Sequence, residues 1–330
     1  MAVVLIEGFD FFTPAQAPLR GWSSAWNSSP AGRFDGKSAL PPAGYFARSL
    51  PSTYTELYAG FAFRPGSRQV SDIYALRDSG TNNVCRVRVV ASGSDFVLAL
   101  LNSGGTVIAT GTTKLFDNVW HYIEIHCLIN GASGSCAMRL DGVAGEIPDT
   151  TGNFGTNAIT AIAINGVNNT GSNFDDMYVV DTTGSAPRNT YLGDVRIETL
   201  FPTSDGAHSQ WAPNSGTTHF SRVNETTPDD DTSYVSDATP GDIDTYAFGD
   251  VDASAAVRGV QVNTYARKDD AGTRQIAPVI RQSGSDHVGA TVTVTSAYAF
   301  YSQLYNQDPT GSDWTPTNVN ADEFGIKEIA

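Results

Sequence analysis

Cysteine is scarce in this 330-residue sequence: Cys85, Cys127 and Cys136 are too few, and odd in number, for a disulfide framework. No Cys-x-x-Cys pair occurs, so no redox centre is expected. Charge is scarce too, at 17% of residues, and 20 Lys and Arg face 35 Asp and Glu for a formal net charge of −15. That balance argues against nucleic acid as a partner, since phosphate binding needs clustered Lys and Arg. It favours solubility and suits an outer surface that must not adhere to polyanions. No run of roughly 18 apolar residues exists, so no membrane insertion is expected. Zinc is not expected either, because His121, His126, His208, His219 and His287 are scattered without ligand spacing. Long helix-forming runs are missing as well.

Glycine, with 32 residues, and abundant Ser, Thr and Asn supply turns and strands instead. Period-two alternation, the mark of a half-buried strand, recurs through the first half. Leu57, Ala59, Phe61 and Phe63 fall on one face of a strand. In Val84 to Val89, Cys85, Val87 and Val89 point inward while Arg86 and Arg88 point outward. Phe96 to Leu101 and Thr106 to Thr110 flank a Gly-rich turn, as in a hairpin. The clearest hairpin joins Trp120–Ile129 to Cys136–Gly142. A turn centred on Gly131-Ala132 places Cys127 opposite Cys136 on the buried side; they could form a cross-strand disulfide, and two thiols packed as small hydrophobes is the favoured alternative. Strands at Ala158 to Ile164 and Phe174 to Asp181 follow.

At 330 residues the chain exceeds the ~250 at which single cores stop growing, so two domains are expected. The turn-rich stretch Thr182 to Asn189 sets the boundary, giving domains 1–185 and 186–330. The second half is polar for some forty residues after Leu200, a length that is either functional or partly structured. Alternation returns at Val257 to Ala266, Gln275 to Arg281, Val288 to Val294, Tyr298 to Tyr305 and Glu323 to Ile329, with a helical turn at Thr317 to Ala321. The fold class is therefore all-β, ending in a second, smaller β-sandwich.

Several pieces of the first half resemble concanavalin A-like lectin/glucanase and laminin-G-like jelly rolls. They are the opening Glu7-Gly8-Phe9-Asp10, the strand Asn118 to Glu124, the return Arg139-Leu140-Asp141-Gly142 and the closing Phe174 to Val179. The resemblance covers roughly residues 1 to 185 and implies that the first and last strands lie side by side, Leu5 to Phe9 against Met177 to Asp181. Asp181 to Ser185, Leu192 to Pro202, Asp205-Gly206 and Trp314 to Lys327 resemble segments of bacteriophage structural proteins. That resemblance implies a virion surface protein with other virion proteins as partners, assembled as a homo-oligomer, with a trimer the first guess. The start, Met1 to Gly8, lacks a basic flank and is too short for a signal peptide, so it is expected to be the first strand of a chain made in the host cytoplasm.

The same jelly roll carries glucanases, but their Glu-x-Asp-x-x-Glu pattern is missing, and the adjacent Asp175 and Asp176 are expected on opposite faces of a strand. No catalytic residues are assigned, and the chain is expected to be non-enzymatic. Trp22, Trp26 and Trp211 sit in polar surroundings where their rings could stack on host-surface glycans; capping a core or a subunit contact is the favoured alternative. Asp229, Asp230 and Asp231 could supply oxygens to calcium, although acidic runs are more often simply solvated. No other cofactor is expected.

Overall fold

A computed structural model describes residues 3–34, 36–166 and 171–330; Met1 and Ala2, part of the expected first strand, lie outside them. The chain divides into two compact units, Met1–Ile197 and Glu198–Ala330.

Among the described residues the first unit contains twelve strands: β1 Val3–Glu7, β2 Gly44–Tyr54, β3 Glu56–Arg64, β4 Ser71–Arg77, β5 Asn83–Ser92, β6 Asp95–Leu101, β7 Val107–Thr110, β8 His121–Leu128, β9 Gly134–Leu140, β10 Val143–Gly152, β11 Ile159–Gly166 and β12 Asn173–Val180. They form two six-stranded antiparallel sheets, ordered β1-β12-β3-β8-β9-β10 and β2-β11-β4-β5-β6-β7. This is a jelly-roll sandwich. The first and last strands are neighbours, with Leu5 opposite Val179 and Glu7 opposite Met177. Alternation explains the core. Leu57, Ala59, Phe61 and Phe63 of β3 are fully buried, and Phe61 stacks on Tyr74 of the opposing sheet with ring centroids 4.4 Å apart. Each such side chain contributes roughly 1.5–3 kcal/mol by leaving water. Asp141 and Gly142, at φ 52° and 75°, make the tight turn between β9 and β10, where two left-handed residues match the twist of a hairpin.

The second unit forms one larger sheet in the order Pro202–Ser209, Ile243–Phe248, Glu323–Glu328, Gln275–Gln282, Ser285–Val288, with Val292–Thr293 also pairing with Gln275–Gln282. A two-stranded ribbon, Val260–Ala266 with Ala299–Tyr305, packs Val260, Val262 and Tyr305 onto the cluster of Ile280, Trp314, Val319 and Phe324. The polar stretch after Leu200 is partly structured: it contains the strand Pro202–Ser209. The single strand expected at 288–294 is split in two. Pro316–Ala321 is a short helix, started by Pro316 and capped by the Thr315 hydroxyl, which accepts from the Asn318 amide. No helix among the described residues is long and apolar enough to cross a membrane.

Candidate functional site

The two outer faces of the jelly roll differ in what covers them. On the first sheet, residues 186–197 lie across the outward side chains of β8, β9 and β12. The amide of Leu192 donates to the Tyr178 hydroxyl at 3.0 Å, and the amide of Gly193 donates to Glu124 at 2.8 Å. Tyr191 packs its ring against Tyr58 and under the Arg139 guanidinium, 3.9 Å from its centroid. This is why the compact unit ends at Ile197 rather than at 185: a segment rich in turns reads as a linker, yet its main chain is bonded to the sheet. Glu124 and Tyr178 are consequently buried although their side chains point away from the core.

The outer face of the second sheet carries a network of polar side chains that remain partly exposed. A bulge in β4 builds it. Asp72 pairs with Arg88 and Tyr74 with Val87, so Ile73 is the extra residue; Ile73 and Tyr74 both enter the core while Asp72 turns outward onto the arginine. The Asp72 carboxylate accepts from Arg88 Nε at 2.5 Å, from the Tyr45 hydroxyl at 2.7 Å and from Arg86 Nη1 at 3.3 Å. Arg77 lays its guanidinium over the Tyr45 ring, 5.4 Å from the centroid, and donates through Nη2 to the Thr81 carbonyl. Asn83 donates to the Tyr45 hydroxyl at 3.4 Å. Room for Arg86 comes from Gly105, at φ 82°, where a Cβ would fall 2.6 Å from Nη2.

Burial by itself would raise the Asp72 pKa, but the hydrogen bonds from Arg88 and Tyr45 and the charges of Arg88 and Arg86 outweigh it and hold the carboxyl below its ordinary range. Burial, then the bond to Asp72, pushes the Tyr45 phenol up, so it stays a donor. Three atoms of this network are buried without a partner: Arg77 Nε, Arg86 Nε and Asn83 Oδ1. Buried polar atoms are ordinarily bonded, and each unmet one costs about 1–3 kcal/mol. What this face offers to a hydrogen-bonding group is therefore not these buried atoms but the partly exposed guanidiniums of Arg77, Arg86 and Arg88.

The residues singled out in the sequence lie elsewhere. Trp22 and Trp26 are 2% and 5% exposed and pack edge to face on each other and against Phe9, with Phe12 beside Trp26, so neither offers a ring face to a sugar. Trp211 belongs to the second unit; it is half-buried beside Ile276, Val294 and Ile326, with its ring nitrogen donating to the Asp242 carbonyl. The three aspartates of the acidic run diverge. Asp229 accepts from Ser233, Asp230 from the Tyr265 hydroxyl, and Asp231 from Arg267 and Tyr298. Among the described residues, no group of three carboxylates is close enough to hold one cation.

Cys127 and Cys136 do sit directly opposite each other, and their thiols are free. Cys85 joins them from the other sheet, with its sulfur 3.4 Å from that of Cys136. Burial pushes the Cys127 and Cys136 thiols well up, as for small core hydrophobes.

The opposite-face expectation for Asp175 and Asp176 is corrected. Asp176, at φ 49°, forms a bulge, and both carboxylates meet the same residue: Asp175 accepts from the Arg33 amide at 2.8 Å, and Asp176 lies 3.7 Å from the Arg33 guanidinium. Burial, then the adjacent Asp176 charge, pushes the Asp175 carboxyl up to about 8.

No protein-family model matches the sequence, and no curated protein is similar to it. Among solved structures the chain is similar to carbohydrate-binding module CBM66 from Bacillus subtilis, at 11% identity and TM-score 0.33, over 49% of this chain and 96% of that one. It is also similar to domain 4 of AbnA, a GH43 extracellular arabinanase from Geobacillus stearothermophilus in complex with arabinotriose, at 16% identity and TM-score 0.31, over 54% and 81% of the two chains. Domains LG4-5 of the mouse laminin α1 chain give 10% identity and TM-score 0.31, over 87% and 70%. At these identities and TM-scores the likeness assigns this chain no ligand. Sequence reasoning missed Tyr45, Asp72, Arg77 and Asn83. The outward alternation of Arg86 and Arg88 was the available signal, but their partners come from strands distant in sequence.

Proposed function

We propose that the chain is a non-enzymatic glycan-binding adhesin whose sugar contact is the outer face of the second sheet, around Tyr45, Asp72, Arg77, Asn83, Arg86 and Arg88. The observation that carries this reading is the cluster of partly exposed guanidiniums, Arg77, Arg86 and Arg88, beside the Tyr45 ring and a single carboxylate, Asp72. Fixed, planar donors around an aromatic ring suit a polyhydroxylated ligand, because each sugar hydroxyl both donates and accepts. The paired acids Asp175 and Asp176 are buried and engaged with Arg33, which supports binding rather than hydrolysis.

The setting proposed is the surface of a bacteriophage particle, with other virion proteins as partners and a homo-oligomeric assembly; the sequence resemblance at 181–206 and 314–327 supports it. A glycan array tests the activity: the intact chain should bind a restricted set of saccharides, and Arg88→Ala should reduce that binding at least tenfold. An array with no bound saccharide sinks the reading. Antibody against the chain should decorate particles released by lysis, and unlabelled particles would remove the virion setting while leaving the glycan site to stand on the array.

A further inference from the structure

We infer that the saccharide taken by this face is acidic, carrying a carboxylate or sulfate; the inference rests on the glycan-binding reading and narrows it. The argument is a count of donors against acceptors on the second sheet's outer face. Of three guanidinium groups, Arg86 and Arg88 share one carboxylate, Asp72, and Arg77 is bonded to none. Asp72 is already occupied: its Oδ1 receives Arg88, and its Oδ2 receives both Tyr45 and Arg86. A neutral sugar needs acceptors as much as donors, because its hydroxyls must also donate, and the one carboxylate of this network is already bonded on both oxygens. Donors are in surplus.

Arg77 shows this most plainly. Its guanidinium has a carbonyl, that of Thr81, and an aromatic ring as partners but no carboxylate, and the residue stays partly exposed. An arginine fork presents parallel N–H groups spaced for the two oxygens of a carboxylate or sulfate, a match that a hydroxyl cannot make. The surrounding charge sharpens the point. In a chain with a formal charge of −15, a local excess of arginine is an exception to the overall composition. A polyanion is repelled at long range and attracted only where the guanidiniums are dense, so binding should be confined to this face rather than spread over the surface.

The test compares matched pairs of polymers on the intact chain: polygalacturonate against the same polymer with its carboxyl groups reduced, and dextran sulfate against dextran. Binding should favour the charged member of each pair at least tenfold. Arg77→Gln should remove most of that preference, and Arg77→Lys, which keeps the charge but loses the fork, should retain an intermediate share. Thermal melting of each variant beside the wild type ensures that a lost preference is not a lost fold; if Arg77→Gln melts early, Arg77→Lys decides on its own. Equal binding of charged and neutral members overturns the acidic class while leaving a glycan site in place. Charged-polymer binding untouched by both Arg77 variants overturns the assignment to this face. Failure of every polymer here and of every saccharide on the array removes the glycan reading itself.

Discussion

On the first sheet of the jelly roll, the outward Glu124 and Tyr178 are bonded to the main chain of residues 186–197, and Tyr122 donates to the Asp176 carbonyl. On the second sheet, the outward Arg77, Arg86 and Arg88 stay partly exposed beside a single bonded carboxylate, Asp72. Both faces belong to one sandwich and hang on the same core. The chain covers one of them with its own backbone and leaves the other with surplus donors, so the covered face serves the fold and the open one is free to serve a ligand. Substitutions on the two faces should then separate stability from binding.

The largest effect on stability is expected on the covered face. Glu124 is 1% exposed and accepts from both the Tyr178 hydroxyl and the Gly193 amide. Glu124→Ala strands both donors away from water, which should cost about 3 kcal/mol. Urea denaturation of the whole chain would read this as a lowered midpoint for the first unit. A loss under ~1 kcal/mol would mean that residues 186–197 are held in place without it, and the contrast between the faces would weaken.

The next effect depends on pH. The folded state raises the Asp175 carboxyl from an ordinary 3.8 to about 8, so the fold favours its protonated form. The stabilisation is fully present below the ordinary value and is lost as pH rises through about 8. In Asp175→Asn this dependence disappears. The unfolding free energy of the variant relative to wild type should therefore climb between pH 5 and pH 8, by roughly 3–4 kcal/mol, read as a rising difference in melting temperature. A difference that stays flat with pH would place the Asp175 charge in a better-solvated site than its burial indicates.

How much of this contrast can be read without coordinates depends on how local its causes are. The hairpin at 120–142, the inward face of β3 and the adjacency of first and last strands all follow from alternation, turn residues or the jelly-roll resemblance. Cys127 opposite Cys136 follows from register alone, whereas Cys85 comes to them through the packing of two sheets, which no local pattern encodes. The tryptophans mislead in a related way. Trp22 and Trp26 sit among Ser, Pro and Gly, the composition of an exposed loop, yet that loop folds onto Phe9 and Phe12. Asp72 reaches Arg88 only because of a bulge, a one-residue insertion that strict period-two reading places on the wrong face.

The smallest expected effect on the fold is also the one that discriminates best. Arg77 is half-buried, but it has no carboxylate partner among the interactions of its face, and its stacking on Tyr45 is worth roughly 0.5–1 kcal/mol. Arg77→Gln should therefore shift the urea midpoint by less than about 1 kcal/mol, while Glu124→Ala on the covered face costs several times more. The unbonded Nε is the reason: a donor already unmet in the folded chain loses nothing when it is removed. If Arg77→Gln instead proves as costly as Glu124→Ala, the arginine is part of the scaffold, its Nε is satisfied in solution, and the open face would be a structural surface like the covered one. A cheap Arg77→Gln that abolishes saccharide binding would show the reverse, a residue retained for what lies outside the chain.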